Sequence, residues 1–233
     1  MACRAGACTV AVEDTLRRRY LQTRYDATAL TSRSPLRGSH RVYNRPMLQV
    51  NRTFIRAWAH EYDRQRRRTL RGRREEAEER ALKGWIRGQP SIKPLDKAHF
   101  LRLANWKTRR GSPAYARNAS SLIREATRLA CRVSNDRLKV HVLMALDGVD
   151  VTVAATILHF FYPRRFPIFD RRDRVTLSKG GLWRRSRVND GSLDAWSEYV
   201  PIMRRLARRY RVSLRNLDKA LYAHDRWRTR RRS

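Results

Sequence analysis

The chain has 233 residues with 54 Lys+Arg against 21 Asp+Glu, a formal charge of +33, and 47 of the basic residues are arginines, whose planar fork suits phosphate oxygens and a polyanionic partner. That length suits one domain or a compact pair of lobes, and 41% hydrophobic residues suffice for a core of that size. No apolar run approaches the roughly 20 residues of a membrane span, Met1 to Val12 lacks a basic start with an apolar core, and Cys3, Cys8 and Cys131 are odd in number and scattered, which excludes a disulfide framework or a zinc site and predicts a cytoplasmic, nucleoid-associated monomer.

Residues 1–45 mix Arg, Ser, Thr and Gly without a sustained apolar period and read as a basic, flexible or weakly ordered segment carrying no site. From residue 47 to 87 the pattern turns helical, with Phe54, Trp58 and Tyr62 at i, i+4, i+8 and a mixed-charge run over 73–80 suited to an exposed surface. Pro90 and Pro94 punctuate the next boundary, after which 95–106 reads as a helix and 107–113 as a basic loop. Ala119, Leu122, Ile123, Ala126, Ala130 and Val133 form one stripe, and Ser134 or Asn135 can cap a helix running through Leu138, Val142 and Leu146. Gly148 ends that helix. Val153, Ala154, Ile157, Leu158 and Phe161 make a third stripe, stopped by Tyr162-Pro163. Tyr199, Met203, Leu206 and Tyr210 mark a further helix, and Ser213 caps the last, which carries Leu214, Leu217 and Leu221. No convincing alternating run occurs, so the predicted fold is all-α.

Two short stretches carry the functional reading. In Leu146-Asp147-Gly148-Val149-Asp150, one helix end, a Gly turn and a second helix starting near Thr152 would point backbone N–H groups outward as an anion site. Phe166-Pro167-Ile168-Phe169-Asp170 is an apolar segment that delivers one carboxylate, 22 residues after Gly148. Alone, the first could be an ordinary bundle corner and Asp170 an ordinary helix N-cap. Their joint spacing resembles the helix-hairpin-helix superfamily of DNA glycosylases over about residues 98–182. Family members usually read Leu-Pro-Gly-Val-Gly; here Asp147 stands for the Pro and Asp150 for the second Gly, and Asp150 would repel phosphate unless it caps the following helix or an Arg neutralises it.

The resemblance implies a two-lobed helical fold: residues 46–97 as part of an outer lobe, 98–165 as a central lobe with the hairpin, and 166–233 supplying Asp170 and the helices that complete the outer lobe. It implies that Gly148, Val149, Asp150 and Thr152 grip DNA, with Lys107, Arg109, Arg110 and Arg171 adding contacts. Asp170 would stabilise a sugar cation and orient water while a flipped base departs. Arg171, Arg172 and Arg174 would help keep it ionised. Strand-cutting members place a Lys where this chain has Thr152, so a monofunctional enzyme is expected, unless Lys107 or Lys139 reaches the sugar. Trp106, Tyr115, His159, Tyr162 and Phe169 are the base-pocket candidates. No redox cofactor or catalytic metal is implied, though relatives can hold a monovalent cation on hairpin carbonyls. The substrate is a damaged or modified base, including the glucosylated hydroxymethylcytosine type of phage DNA, in which case the biology is defence. Two other classes stay open: a non-catalytic hairpin protein that binds DNA, and an RNA-binding protein.

Overall fold

Most helices in the described chain begin at a polar residue whose side chain accepts a hydrogen bond from the first turn. The computed structural model describes residues 48–88 and 94–229, so the predicted N-terminal segment lies outside the described residues. Asn51 caps α1 (Arg52–Arg67), Thr69 caps α2 (Leu70–Arg87) and Asp96 caps α3 (Lys97–Lys107). α4 (Ser112–Arg117) and α5 (Ser120–Arg132) follow, and Asn135 caps α6 (Asp136–Leu143). Asp150 then caps α7 (Val151–Phe161), Asp170 caps α8 (Arg171–Lys179), Ser192 caps α9 (Leu193–Tyr210) and Ser213 caps α10 (Leu214–Thr229). Every regular element among the described residues is helical, as predicted.

α7 is apolar on all sides and, apart from Thr152, fully buried, which makes it the central helix. α2, α3 and α6 pack around it, while α10 lies against α1 and α8 and also meets α9. The two ends of the described chain are therefore joined. A shared core ties them, with Ile55 from α1, Leu82 from α2 and Leu217 from α10 in one apolar cluster.

Two local departures from the sequence reading have plain causes. The helical region expected over 47–87 is divided at Arg68 and Thr69, because Thr69 Oγ1 accepts from Gly72 N at 3.0 Å and starts a new helix. A Cβ on Gly72 would stand 2.0 Å from the Arg66 carbonyl oxygen, so the corner requires glycine. The expected basic loop over 107–113 is shorter. Lys107 closes α3, and Ser112 opens α4 by donating to Asn105 Oδ1 at 2.5 Å.

Candidate active site at the Asp170 cleft

Asp170 sits where the buried segment from Phe166 to Phe169 meets α8. One carboxylate oxygen, Oδ1, accepts from Arg172 N at 2.9 Å and caps the helix. The other, Oδ2, accepts from Lys107 Nζ at 2.7 Å. Lys107 arrives from the end of α3, and the two side chains are only 10% and 23% exposed. Burial works against the charge of Asp170, but the Lys107 ammonium and the Arg172 N–H outweigh it and hold the carboxyl below its usual range. Asp170 returns the effect: burial opposes the charge on Lys107, and the carboxylate more than restores it. Of the cations flanking Asp170 in sequence, Arg172 helps to lower its carboxyl, while the other two turn to other partners. Arg171 turns outward to Asn189, and Arg174 lies over the Phe169 ring and donates to the Asp190 carbonyl.

This ion pair lines a cleft of about 1480 Å³. Trp106 lies beside it, with the Arg215 guanidinium 5.4 Å from its ring centre. Across the cleft stand Tyr62, Tyr222 and Trp227, in edge-on contacts with Tyr62 at 5.8 and 6.1 Å. Arg109 and Arg110 are exposed residues of the same wall and form no ion pair among the described residues. Arg215 is itself buried and held by Glu79 of α2, at 2.9 Å, and by Asp218. Glu79 also receives Arg66 at 2.7 Å and Lys83 at 2.6 Å. Burial opposes its charge, yet Arg215 and Lys83 hold its carboxyl far below the usual range.

Arg66, Arg215 and Asp218 were not singled out in the sequence, and Tyr62 was read there only as one residue of a helical stripe. Their one signal is charge flanking an apolar stripe, as Arg215 and Asp218 flank Leu214, Leu217 and Leu221.

The hairpin lies one short helix away. Gly148 has φ +79°, and a Cβ there would stand 2.8 Å from Ala114 and 2.9 Å from the Tyr115 ring. Asn118, at the end of α4, accepts from Asp147 N at 2.8 Å and donates to Asp147 O at 3.1 Å, clamping the turn from both sides. Asp150 Oδ1 accepts from Val153 N at 2.8 Å, so its carboxylate is used as a cap. The N–H groups of Gly148, Asp150, Val151 and Thr152 have no partner among the described residues, while Val149 N is taken by the Leu146 carbonyl. Because α4 joins this turn to the loop bearing Arg109 and Arg110, hairpin and cleft wall are mechanically connected.

Four of the five base-pocket candidates do not line the cleft; Trp106 does. Tyr115 is buried beneath Gly148 and supports the turn. His159 is 1% exposed, and its Nδ1 bonds the Phe166 carbonyl at 2.8 Å; burial lowers its pKa to about 4, so it is a neutral core brace. Phe169 is buried between Tyr199 and Arg174. Tyr162 donates to the Cys131 carbonyl at 3.4 Å. Lys139, a candidate to reach the sugar, is instead buried and donates to the carbonyls of Ala130, Cys131 and Val133, closing the end of α5.

Comparison with protein-family models, curated proteins and solved structures finds no match. Function must therefore be read from the site. Among the described residues no three His, Cys, Asp or Glu side chains group into a metal site, and no helix is long and apolar enough to cross a membrane. The chemistry on offer is an ionised carboxylate and an ammonium in a basic, aromatic-walled cleft. That pair can stabilise a developing cation and polarise water.

Proposed function

We propose that this protein is a monofunctional DNA glycosylase of the helix-hairpin-helix kind, which flips a damaged or modified base from DNA and hydrolyses its N-glycosidic bond. The observation that carries the reading is Asp170, held ionised by Lys107 in an arginine-bearing cleft. Duplex DNA would lie across Arg109, Arg110 and the hairpin, where the unpartnered N–H groups of Gly148, Asp150, Val151 and Thr152 would face a phosphate. A monovalent cation on the hairpin carbonyls is part of this proposal. The flipped nucleotide enters the cleft beside Trp106, and its sugar develops positive charge as the bond to the base lengthens. Asp170 stabilises that charge and orients the water that attacks C1′, leaving an abasic site.

The open cleft, about 1480 Å³, has room for a bulky base such as a glucosylated hydroxymethylcytosine. Excising such a base from phage DNA would make the protein a defence enzyme.

One observation favours a non-catalytic DNA clamp instead: both oxygens of Asp170 are already engaged, one as a cap and one in the ion pair. Wild type and Asp170→Asn, incubated with duplexes carrying damaged, mismatched and glucosylated bases, separate the readings. Free base by mass spectrometry from wild type, reduced about 100-fold or more in the variant, is expected for the enzyme. Equal DNA binding by both proteins with no free base is the outcome of a clamp.

A further inference from the structure

Every acidic side chain that lines the cleft among the described residues already has a cation. Glu75 takes Arg71 at 2.9 Å and Glu78 takes Arg102 at 2.7 Å, both in partly exposed positions. In better buried positions, Asp170 takes Lys107 at 2.7 Å and Asp218 takes Arg215. Cations are in excess, since Arg74, Arg109 and Arg110 line the same cleft, exposed and without an ion pair among the described residues. The cleft therefore offers no free carboxylate to a positively charged base, and such a base would meet like charge on entering.

Bases differ in this respect. An alkylated base such as 7-methylguanine is cationic in the duplex and leaves as a neutral molecule. An uncharged base takes the electron pair of its glycosidic bond with it and turns anionic as it departs, so it needs a donor beside the breaking bond.

Lys107 is built to be that donor. It ends α3 against Asp170, lines the cleft, and gives Asp170 one of its three N–H groups; the other two have no acceptor among the described residues. Burial opposes the ammonium charge, but the Asp170 carboxylate more than restores it, so the donor is present at neutral pH.

Resting on the glycosylase reading above, we infer that the cleft takes bases that are uncharged in DNA, and that Lys107 is the catalytic residue that receives their departing charge at O2 of a pyrimidine or N3 of a purine. As the C1′–N bond lengthens, the sugar becomes positive and the base negative. Asp170 and Lys107, one hydrogen bond apart, face that dipole with the opposite pair of charges. The electron pair of the broken bond goes to the base, which takes a proton from Lys107. Water adds to C1′ and gives its surplus proton to Asp170, which returns it to Lys107 across their hydrogen bond. The sum is substrate plus water giving free base and abasic sugar, with the ion pair restored. The engagement of Asp170 Oδ2 by Lys107 is thus a proton path.

The test measures single-turnover release from duplexes holding one uracil, one 5-hydroxymethylcytosine with or without its glucose, or one 7-methylguanine, each rate divided by the spontaneous loss of the same base. Wild type should accelerate release of at least one uncharged base by about 100-fold or more beyond 7-methylguanine. Equal acceleration, or more for 7-methylguanine, overturns the inference and leaves the glycosylase reading standing; this arm needs no variant. Lys107→Met, with its fold checked by circular dichroism, should lose about 100-fold or more on the uncharged base and far less on 7-methylguanine, and Lys107→Arg, which keeps charge and donors, should recover most of the loss. Equal losses on both bases would reduce Lys107 to a support for Asp170 and overturn its role at the base. No base from wild type on any duplex overturns the glycosylase reading and this inference together.

Discussion

At the scale of single residues, Lys107 decides how Asp170 behaves. Asp170 carries a carboxyl held below its unfolded value, so it contributes stability at pH above about 4 and loses it as pH falls through the folded value. Replacing Lys107 by Met should cost about 2 kcal/mol at pH 7, discounted from a fully buried pair because Asp170 keeps some exposure. In urea titrations the gap to wild type should narrow below pH 4. An ammonium locked to a carboxylate is also a poor nucleophile. Borohydride should therefore trap no covalent complex between wild type and the abasic product, and strand breaks should appear only after hot alkali; trapping that vanishes in Lys107→Met would overturn the monofunctional proposal. His159 gives a second pH signature. Its pKa falls from 6.5 unfolded to about 4 folded, so stability is full above pH 6.5 and declines toward pH 4, by about 3 kcal/mol. His159→Asn, which keeps a donor for the Phe166 carbonyl, should lower stability overall and flatten that slope.

At the scale of elements, the hairpin is a turn with two separate fastenings. Gly148→Ala must adopt a positive φ and push its methyl against Ala114 and Tyr115, a strain of about 1–3 kcal/mol. Asn118→Ala leaves the Asp147 N–H and carbonyl without their partner, at a similar cost of about 1–3 kcal/mol. Both should weaken duplex binding along with stability; a variant that loses stability but binds DNA as wild type does would remove the hairpin from the interface. The helices themselves were legible because apolar spacing and cap residues are local, as Asn135, Asp150 and Ser213 illustrate. Asp170 was legible by its spacing from Gly148. Its partner was not: Lys107 is 63 positions away, and no local pattern states that α3 ends against α8. Tyr115 and His159 were misread because an aromatic near a motif looks the same in sequence whether it faces a ligand or props the backbone from beneath. The break at Thr69 was missed since Ser or Thr caps compete with helix continuation only when a close contact, here at Gly72, favours the corner.

At the scale of the whole molecule, several acids among the described residues are each spent on two or more cations. Glu79 binds Arg66, Arg215 and Lys83, Asp225 binds Arg172 and Lys179, and Asp136 binds Arg165 and Arg204. Such pairs tie helices together but do little to offset a formal charge of +33 across the chain. Arginines without acidic partners among the described residues, Arg109 and Arg110 among them, are on the proposed reading the ones that meet phosphates. Affinity for duplex DNA should accordingly fall by about 10³-fold or more between 50 and 200 mM salt, the behaviour of a protein that displaces about six or more counterions. Arg109→Ala and Arg110→Ala should each lower the slope of log affinity against log salt by about 1, because each removes one phosphate contact. Arg137, exposed but engaged with Asp194 at 2.6 Å and Ser197 at 2.9 Å, provides the control: its replacement by Ala should leave the slope unchanged. If all three variants reduced the slope equally, binding would follow total charge and the cleft wall would have no special place in it. A matched-salt comparison with structured RNA completes the test, because a surface selected for duplex DNA through its hairpin should lose its preference when Gly148→Ala deforms the turn, whereas attraction by charge alone should not.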